Sequence, residues 1–324
     1  MFISVTHFMF IDCYCPHPNH YPSFRTTGNR HYTIPMAERQ EKITTQDPLF
    51  ARNGKENGIR AFQDLVLSRY RESGRKFAWR ETTDPYCILV SEIMLQQTQV
   101  ERVQGKYTEF IAAFPGFSAL AAAPLADILR CWQGMGYNRR AIALQKCAQT
   151  VMTTYGGILP EDPEILATFP GIGKATASSI CAFAFNSPVI FIETNIRRVF
   201  IHCFFSDNDV VNDDAILPLV AEALYRENPR EWYNALMDFG TELKKSVPNP
   251  NRRSVHYTRQ SAFEGSDRKI RGHILKLLLS NGTMTSAAII RELGEDKTRV
   301  RKILDGLEEE GFIQEAGRNL SLVS

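Results

Sequence analysis

"FPGIGKATA", residues 169–177, is the stretch that decides how this chain is read. Two glycines, Gly171 and Gly173, flank an isoleucine after a proline, and small residues follow: Ala175, Thr176, Ala177, Ser178, Ser179 and Ala182. Glycine permits positive φ and the close approach of another backbone. The small residues predict a helix that begins at this turn and packs tightly on the helix before it. The amides of Gly171, Gly173 and Ala175 then point out of a helix N-terminus, where unpaired N–H groups and the helix dipole attract an anion. Taken alone, the turn is equally compatible with a tight corner between two helices. Lys174 is its single charged side chain.

Outward from the turn the chain reads as helix in both directions. "IRAFQDLVLSRYRESG" puts Ile59, Phe62, Leu65, Val66 and Tyr70 on one face, and "VERVQGKYTEFIAAF" does the same with Val100, Val103, Tyr107, Phe110, Ile111 and Phe114. "PLADILRCWQGMG", "RRAIALQKCAQTVMTTYGG", "ILPLVAEALYR" and "REWYNALMDFGTELKK" continue the series, closed by glycine or proline turns. The expected body is all-α, about ten helices, with no alternating strand before residue 311; "PVIFI", 188–192, is too short to decide. Residues 1–48 show no periodicity and read as a disordered tail, with Met36 a candidate start.

After residue 262 the pattern changes. "RKIRGHILKLLLSNG", "SAAIIRELG" and "DKTRVRKILDGLEEEG" predict three helices, and "FIQEAGRNLSLV" two short strands around Gly317. That order over 263–324 predicts a winged helix-turn-helix. Its third helix starts basic, with Lys297, Arg299, Arg301 and Lys302, and ends acidic, an order that suits DNA. The same charges also fit a protein-contact module with a solvated face.

Composition narrows the class. The 324 residues are 44% hydrophobic and 23% charged, ordinary for a globular protein of more than one domain. A net charge of +2 says nothing for or against nucleic acid, which must be argued locally. No run of apolar residues is long enough to span a bilayer, and the N-terminus lacks a basic segment and a cleavage site, so a cytoplasmic protein without a membrane partner is expected. The seven cysteines suit thiols in a reducing compartment better than a disulfide framework. Cys13 and Cys15, near His17 and His20, fit no standard zinc spacing.

Two carboxylates stand out. Glu92 lies between Ile88, Leu89, Val90 and Ile93, Met94, Leu95, where loss of hydration should raise its pKa and keep a proton available near neutral pH. A solvent-edge helix glutamate is the plainer reading. Glu193 follows an apolar run and precedes a helix, where a carboxylate interacts well with the dipole. The "QQTQ" beside Glu92 is a run of amides able to bond bases or water.

"WRETTDPYCILVSEIMLQQTQVERV", "WQGMGYNRRA", "FPGIGKATA" and "FIETNIRRV" occur in the order and near the spacing of the MutY-type adenine DNA glycosylases. Over about residues 58–240 the sequence resembles that family, which belongs to the helix-hairpin-helix superfamily with endonuclease III. The resemblance implies a two-lobed helical core over 49–262, with a six-helix lobe at 82–190 and a second lobe from 49–81 plus 191–262. It also implies a base-accepting cleft between the lobes. Glu92 matches the family's general acid, and Glu193 falls where the family has its second catalytic carboxylate, usually aspartate. Gln97 matches the glutamine that enters the stack, Tyr137 the tyrosine of the "GY" turn, and Asn195 a site asparagine. Gly171, Gly173, Lys174, Ala175 and Thr176 are expected on a DNA phosphate. In lyase members an amine stands two residues after the second hairpin glycine; here that position is Ala175. Lys174 is one residue early, about 100° around the helix, so no Schiff-base chemistry is expected.

Three departures accompany the resemblance. The family's four-cysteine iron–sulfur loop is replaced by "TELKKSVPNPNRRSVHYTRQS", without a cysteine, so no cofactor is expected. There Arg252 and Arg253 are expected on DNA phosphates, with Tyr257 packed under the loop. The C-terminal module that inspects 8-oxoguanine is not recognisable, and the winged helix stands in its place. The second carboxylate is one methylene longer than aspartate. The expected activity is a monomeric, monofunctional glycosylase that removes a mismatched base from double-stranded DNA, adenine first. Thymine or uracil opposite guanine is the alternative substrate, and a DNA-binding protein on a catalytically dead core is the alternative class.

Overall fold

Small residues at the start of one helix let two backbones meet, and the rest of the core is arranged around that contact. The computed structural model describes residues 54–205, 209–258 and 262–323. The N-terminal tail with Cys13, Cys15 and Met36, and also Arg259, lie outside the described residues. Among the described residues eleven α-helices form the body: α1 (Gly54–Ser73), α2 (Pro85–Leu95), α3 (Val100–Ala113), α4 (Phe117–Ala122), α5 (Leu125–Trp132), α6 (Arg139–Thr154), α7 (Pro163–Leu166), α8 (Lys174–Phe185), α9 (Thr194–Phe204), α10 (Asp213–Glu222) and α11 (Pro229–Ser246). "PVIFI" forms no element; Tyr233 Oη donates to the Val189 carbonyl at 2.6 Å and ties the link down.

Helices α2 to α8 pack on one another: α2 against α8 and α3, and α4 against α6. α1, α9, α10 and α11 form a second group, with α9 against α11 and α11 against α1. α8 also touches α11, which joins the groups. The apolar faces read from the sequence are largely the buried ones. Ile59, Phe62 and Val66 are buried on α1, and Val103, Tyr107 and Phe110 on α3. Phe62 meets Phe200, Phe204 and Trp232 edge-on at centroid distances of 5.5, 5.0 and 5.7 Å. Such aromatic pairs add to the burial of their large apolar area.

The C-terminal module consists of α12 (Asp267–Asn281), β1 (Thr283–Thr285), α13 (Ser286–Leu293), α14 (Lys297–Glu309), β2 (Ile313–Ala316) and β3 (Asn319–Leu322). Its sheet is antiparallel in the order β1-β3-β2, with Met284 opposite Leu320 and Glu315 opposite Leu320 on the other side. β1 corrects the expectation of no strand before residue 311. Three residues are too few for an alternating pattern to register; pairing with β3 makes them a strand. Ile270, Ile274, Leu275 and Leu278 of α12 and Val300, Ile303, Leu304 and Leu307 of α14 are all buried, as their spacing requires. No helix of the described residues is long and apolar enough to cross a membrane.

The segment after α11 has no cysteine and is held by its own buried turn. Pro250 and Asn251 are buried in a 3-10 turn, Pro250–Arg253. Asn251 donates Nδ2 to the Thr194 carbonyl at 2.9 Å, and Val255 N donates to Val211 O at 3.1 Å. Tyr257 does not pack beneath it; at 45% relative exposure it faces solvent, and Pro250, Asn251 and Ser254 fill the interior instead.

Candidate active site

The hairpin brings the first carboxylate its partner. Gly171 has φ 74°, and a Cβ built there would stand 2.9 Å from the Ala143 Cβ, so glycine is required on both counts. Gly173 does not use the positive φ that glycine permits. It is the extended N-cap of α8, at φ −87°, and open space lies where its Cβ would be. No side chain caps α8. Gly171, Gly173, Lys174 and Ala175 are exposed, Thr176 is partly so, and the first-turn amides open outward. Small residues then let α8 lie on α2, and Ser179, buried on α8, donates its hydroxyl to Glu92 Oε2 at 2.5 Å.

Glu92 is partly buried, its neighbours Leu89, Val90, Ile93 and Met94 fully so. Burial pushes its carboxyl up to about 7; the nearby Glu193 charge raises it further, while Ser179 and Arg80 oppose the rise. Arg80 is itself held by Asp238, at 2.9 and 3.0 Å.

Glu193 is the N-cap of α9, accepting from Asn195 N at 2.5 Å and Ile196 N at 2.9 Å. Asn195 Nδ2 stands 3.4 Å from the other oxygen, and Arg198 donates to Asn195 Oδ1 at 2.7 Å. Burial nevertheless moves the Glu193 carboxyl upward, against those backbone bonds and the charges of Arg198 and Arg197. Both carboxyls therefore shift in the same direction. What separates them is their surroundings. Amides, a helix dipole and two guanidinia support an anion on Glu193; one hydroxyl serves Glu92. Arg198 is buried and also donates to the Gly240 carbonyl at 2.7 Å. At Gly240 a Cβ would meet the Asn195 carbonyl oxygen at 2.6 Å, so glycine permits α11 to approach the start of α9.

Gln97 and Tyr137 adopt left-handed backbone conformations, φ 52° and 48°, sparsely populated for such residues. Sequence reading missed what holds them. Arg140 is buried and donates Nη1 to the carbonyls of Ile93, Met94 and Gln96 at 2.9, 2.8 and 2.7 Å. Its Nη2 reaches Thr98 Oγ1 at 3.0 Å and the carbonyls of Met135 and Gly136 at 3.3 and 3.0 Å. One guanidinium thus joins the turn after α2 to the turn before α6. The adjacent arginines of "NRRA" gave no hint of which one turns inward. Gln96 bonds the hairpin through the Gly171 carbonyl at 3.1 Å, while Gln97 is exposed. Arg252 is exposed, and Arg253 donates to the Asp209 carbonyl at 3.2 Å.

The core just described is one that other chains share. Residues 90–217 match the HhH-GPD superfamily of base excision DNA repair proteins, and 267–314 match a winged helix-turn-helix DNA-binding family. An adenine DNA glycosylase of Mycobacterium tuberculosis is 35% identical over 235 residues, which covers 66% of this chain and 77% of that protein. The chain belongs to the adenine DNA glycosylase family. A further member, from Mycolicibacterium smegmatis, is 31% identical over 268 residues, 77% of this chain and 92% of its own. Among solved structures, a thermostable thymine-DNA glycosylase is 27% identical, with a TM-score of 0.51 over 56% of this chain and 85% of that one. This glycosylase is therefore an enzyme that acts on N-glycosidic bonds of DNA.

The iron–sulfur cluster that the resemblance brings with it does not fit these residues. The chain has no cysteine beyond Cys203. Among the described residues no three His, Cys, Asp or Glu side chains come together as a metal site. None of Cys87, Cys131, Cys147, Cys181 and Cys203 is in a disulfide, and Cys147 and Cys181 donate to the carbonyls of Pro170 and Glu161.

Proposed function

We propose that this glycosylase removes adenine from mismatched double-stranded DNA, as a monomer and by hydrolysis alone. The observation that carries the reading is Glu92: a carboxyl poised at about 7 by burial, with Glu193 near enough to act on its charge. Breaking an N-glycosidic bond sends an electron pair to the base and leaves positive charge on the sugar. Glu92 in its acid form donates the proton that the departing base takes up. Glu193, with its charge supported by the α9 amides, faces the sugar cation. Water then adds to the sugar carbon and gives up a proton, which leaves an abasic site.

The remaining residues take supporting roles. The base must first leave the stack, at a cost of about a few kcal/mol. Gln97 and Tyr137, on their two joined turns, enter the stack where it leaves, and Asn195 steadies Glu193. Gly171, Gly173, Lys174, Ala175 and Thr176 hold a phosphate at the α8 N-terminus, and Arg252 and Arg253 meet others. With alanine at 175, no amine attacks the sugar. The enzyme works without an iron–sulfur cluster, in the cytoplasm or wherever its host keeps DNA. The names of the relatives support adenine as the base.

A panel of duplexes tests the reading: A·G, A·8-oxoG, T·G, U·G and matched controls, incubated with enzyme and developed with hot alkali. Adenine release from A·G or A·8-oxoG, strand breaks only after alkali and no borohydride trapping are expected. Release of thymine or uracil alone would replace adenine by the pyrimidine reading. No release from any duplex would leave a DNA-binding protein.

A further inference from the structure

The winged helix does not stand apart from the glycosylase core; both belong to one compact unit. Between α12 and the turn before α6 lies a cleft of about 610 Å³. Its size is that of a small-ligand site, about 300–1,000 Å³. Six of its lining residues are Lys or Arg and one, Asp267, is acidic. Some of that charge is already compensated. Glu310, at the end of α14, is bonded by Arg139 of the core and Arg271 of α12, each through two nitrogens at 2.5 to 3.0 Å. Lys269 pairs with Glu264, and Asp267 with Arg299, both at 2.6 Å. Arg102 of α3 and Lys276 of α12 are exposed on the two walls and make no ion pair with any described residue. His273 lies on the same wall as Lys276. Phe263 opens onto the cleft with 55% of its surface exposed. At the edge stands Tyr137, whose hydroxyl accepts from Arg268 and whose ring has the Arg268 and Arg140 guanidinia at 5.0 and 5.5 Å.

Surplus positive charge on both walls calls for an anion that runs along the cleft. An exposed aromatic between the walls calls for a flat partner. A nucleic-acid strand carries both. We infer that the cleft between α12 and the Tyr137 turn binds the backbone of the DNA strand that Tyr137 contacts, with phosphates on Arg102 and Lys276 and a nucleoside against Phe263. This rests on the reading of Tyr137 as a residue that enters DNA. It makes the winged helix one wall of the substrate site, and gives the DNA contact to α12 instead of the basic start of α14. Arg299, one of the four cations there, is already held by Asp267 and the Gly265 carbonyl.

The test is binding, measured on full-length protein with a mismatched duplex whose target sugar resists cleavage, over a range of salt. Two double variants are compared, Arg102→Ala with Lys276→Ala, and Arg301→Ala with Lys302→Ala on α14. All four side chains are exposed. The first pair should lower affinity and reduce the slope of log affinity against log salt by about 0.9 for each residue. The second pair should match the parent. Phe263→Ala should raise the enzyme concentration that half-saturates single-turnover excision and leave the plateau rate unchanged. A first pair that behaves as the parent, or a loss confined to the α14 pair, overturns the cleft. Because binding is read without chemistry, a chain that releases no base can still show the cleft, and an active chain can still lack it.

Discussion

At Glu92 one side chain sets the behaviour of the enzyme with pH. In the proposed mechanism its acid form is the reactive one, and its carboxyl is raised to about 7. Single-turnover excision should therefore fall about tenfold per pH unit well above 7, and fall again toward acid pH as the Glu193 anion, its own carboxyl also shifted upward, takes up a proton. The same shift has a consequence for stability, with the sign reversed from the usual carboxylate. The folded state binds this proton more tightly than the unfolded chain does. Stability is therefore lost as pH rises from about 4.5 to about 7, by about 3 kcal/mol in all. Glu92→Gln should abolish base release and keep duplex binding. It should also raise the melting temperature at pH 8, with the gain shrinking toward pH 4. A variant with near-parental excision, or one that melts below the parent at pH 8, removes the buried acid from the account. Glu193 makes a different prediction. As a helix cap alone, glutamine in its place would cost only stability. As the anion facing the sugar cation, Glu193→Gln should lose several orders of magnitude in rate while Glu193→Asp keeps appreciable activity, both read in single turnover with folding followed separately.

Between elements, Arg140 carries the most contacts. It donates to six carbonyls, that of Tyr137 among them, and one hydroxyl from the turns that hold Gln97 and Tyr137. A lysine has three N–H groups in place of a planar fork, so it cannot serve both turns together. Arg140→Lys should leave a folded protein whose base extrusion is impaired. A fluorescent adenine analogue at the target position should unstack less, and the half-saturating enzyme concentration should rise. If unstacking and excision match the parent, the two turns keep their shape without the guanidinium. The hairpin gives the second prediction of this scale. A Cβ at residue 171 needs both a left-handed backbone and space that Ala143 occupies. Gly171→Ala should cost about 1–3 kcal/mol of stability and weaken DNA binding, whereas Gly173→Ala, with φ negative and open space before it, should cost less stability.

Across the whole molecule, Glu310 ties the winged helix to the core through Arg139, while Arg271 of α12 holds the same carboxylate from within the module. Both guanidinia hold its carboxyl below the ordinary glutamate value, with partial burial opposing them. A depressed carboxylate contributes stability above the unfolded pKa, and that contribution is lost as pH falls through the lower folded value. Glu310→Gln should therefore loosen the module at neutral pH. Hydrogen exchange should rise along α12 and around Tyr137 while the α2–α8 contact keeps its protection. Unchanged exchange at both places would show that apolar packing alone seats the module.

The sequence by itself determined the helical class, the winged helix and the hairpin, and it singled out Glu92 as a carboxyl in apolar surroundings. Each of these depends on local chemistry: apolar periodicity, a glycine turn, or a glutamate among isoleucines and leucines. Family resemblance then named Glu193, Gln97, Tyr137 and Asn195. The tertiary structure alone decided how these parts are held. Ser179 meets Glu92 across 87 positions, Arg140 meets Ile93 across 47, and Arg268 meets Tyr137 across 131. No spacing rule reaches that far. A buried guanidinium looks the same in sequence as an exposed one, and Arg139 and Arg140 differ only in which way the helix turns them. β1 and the upward shift of Glu193 came from the same source. Three residues become a strand only when β3 lies beside them, and a capped carboxylate is pushed up only when the fold shuts out enough water to outweigh its amides.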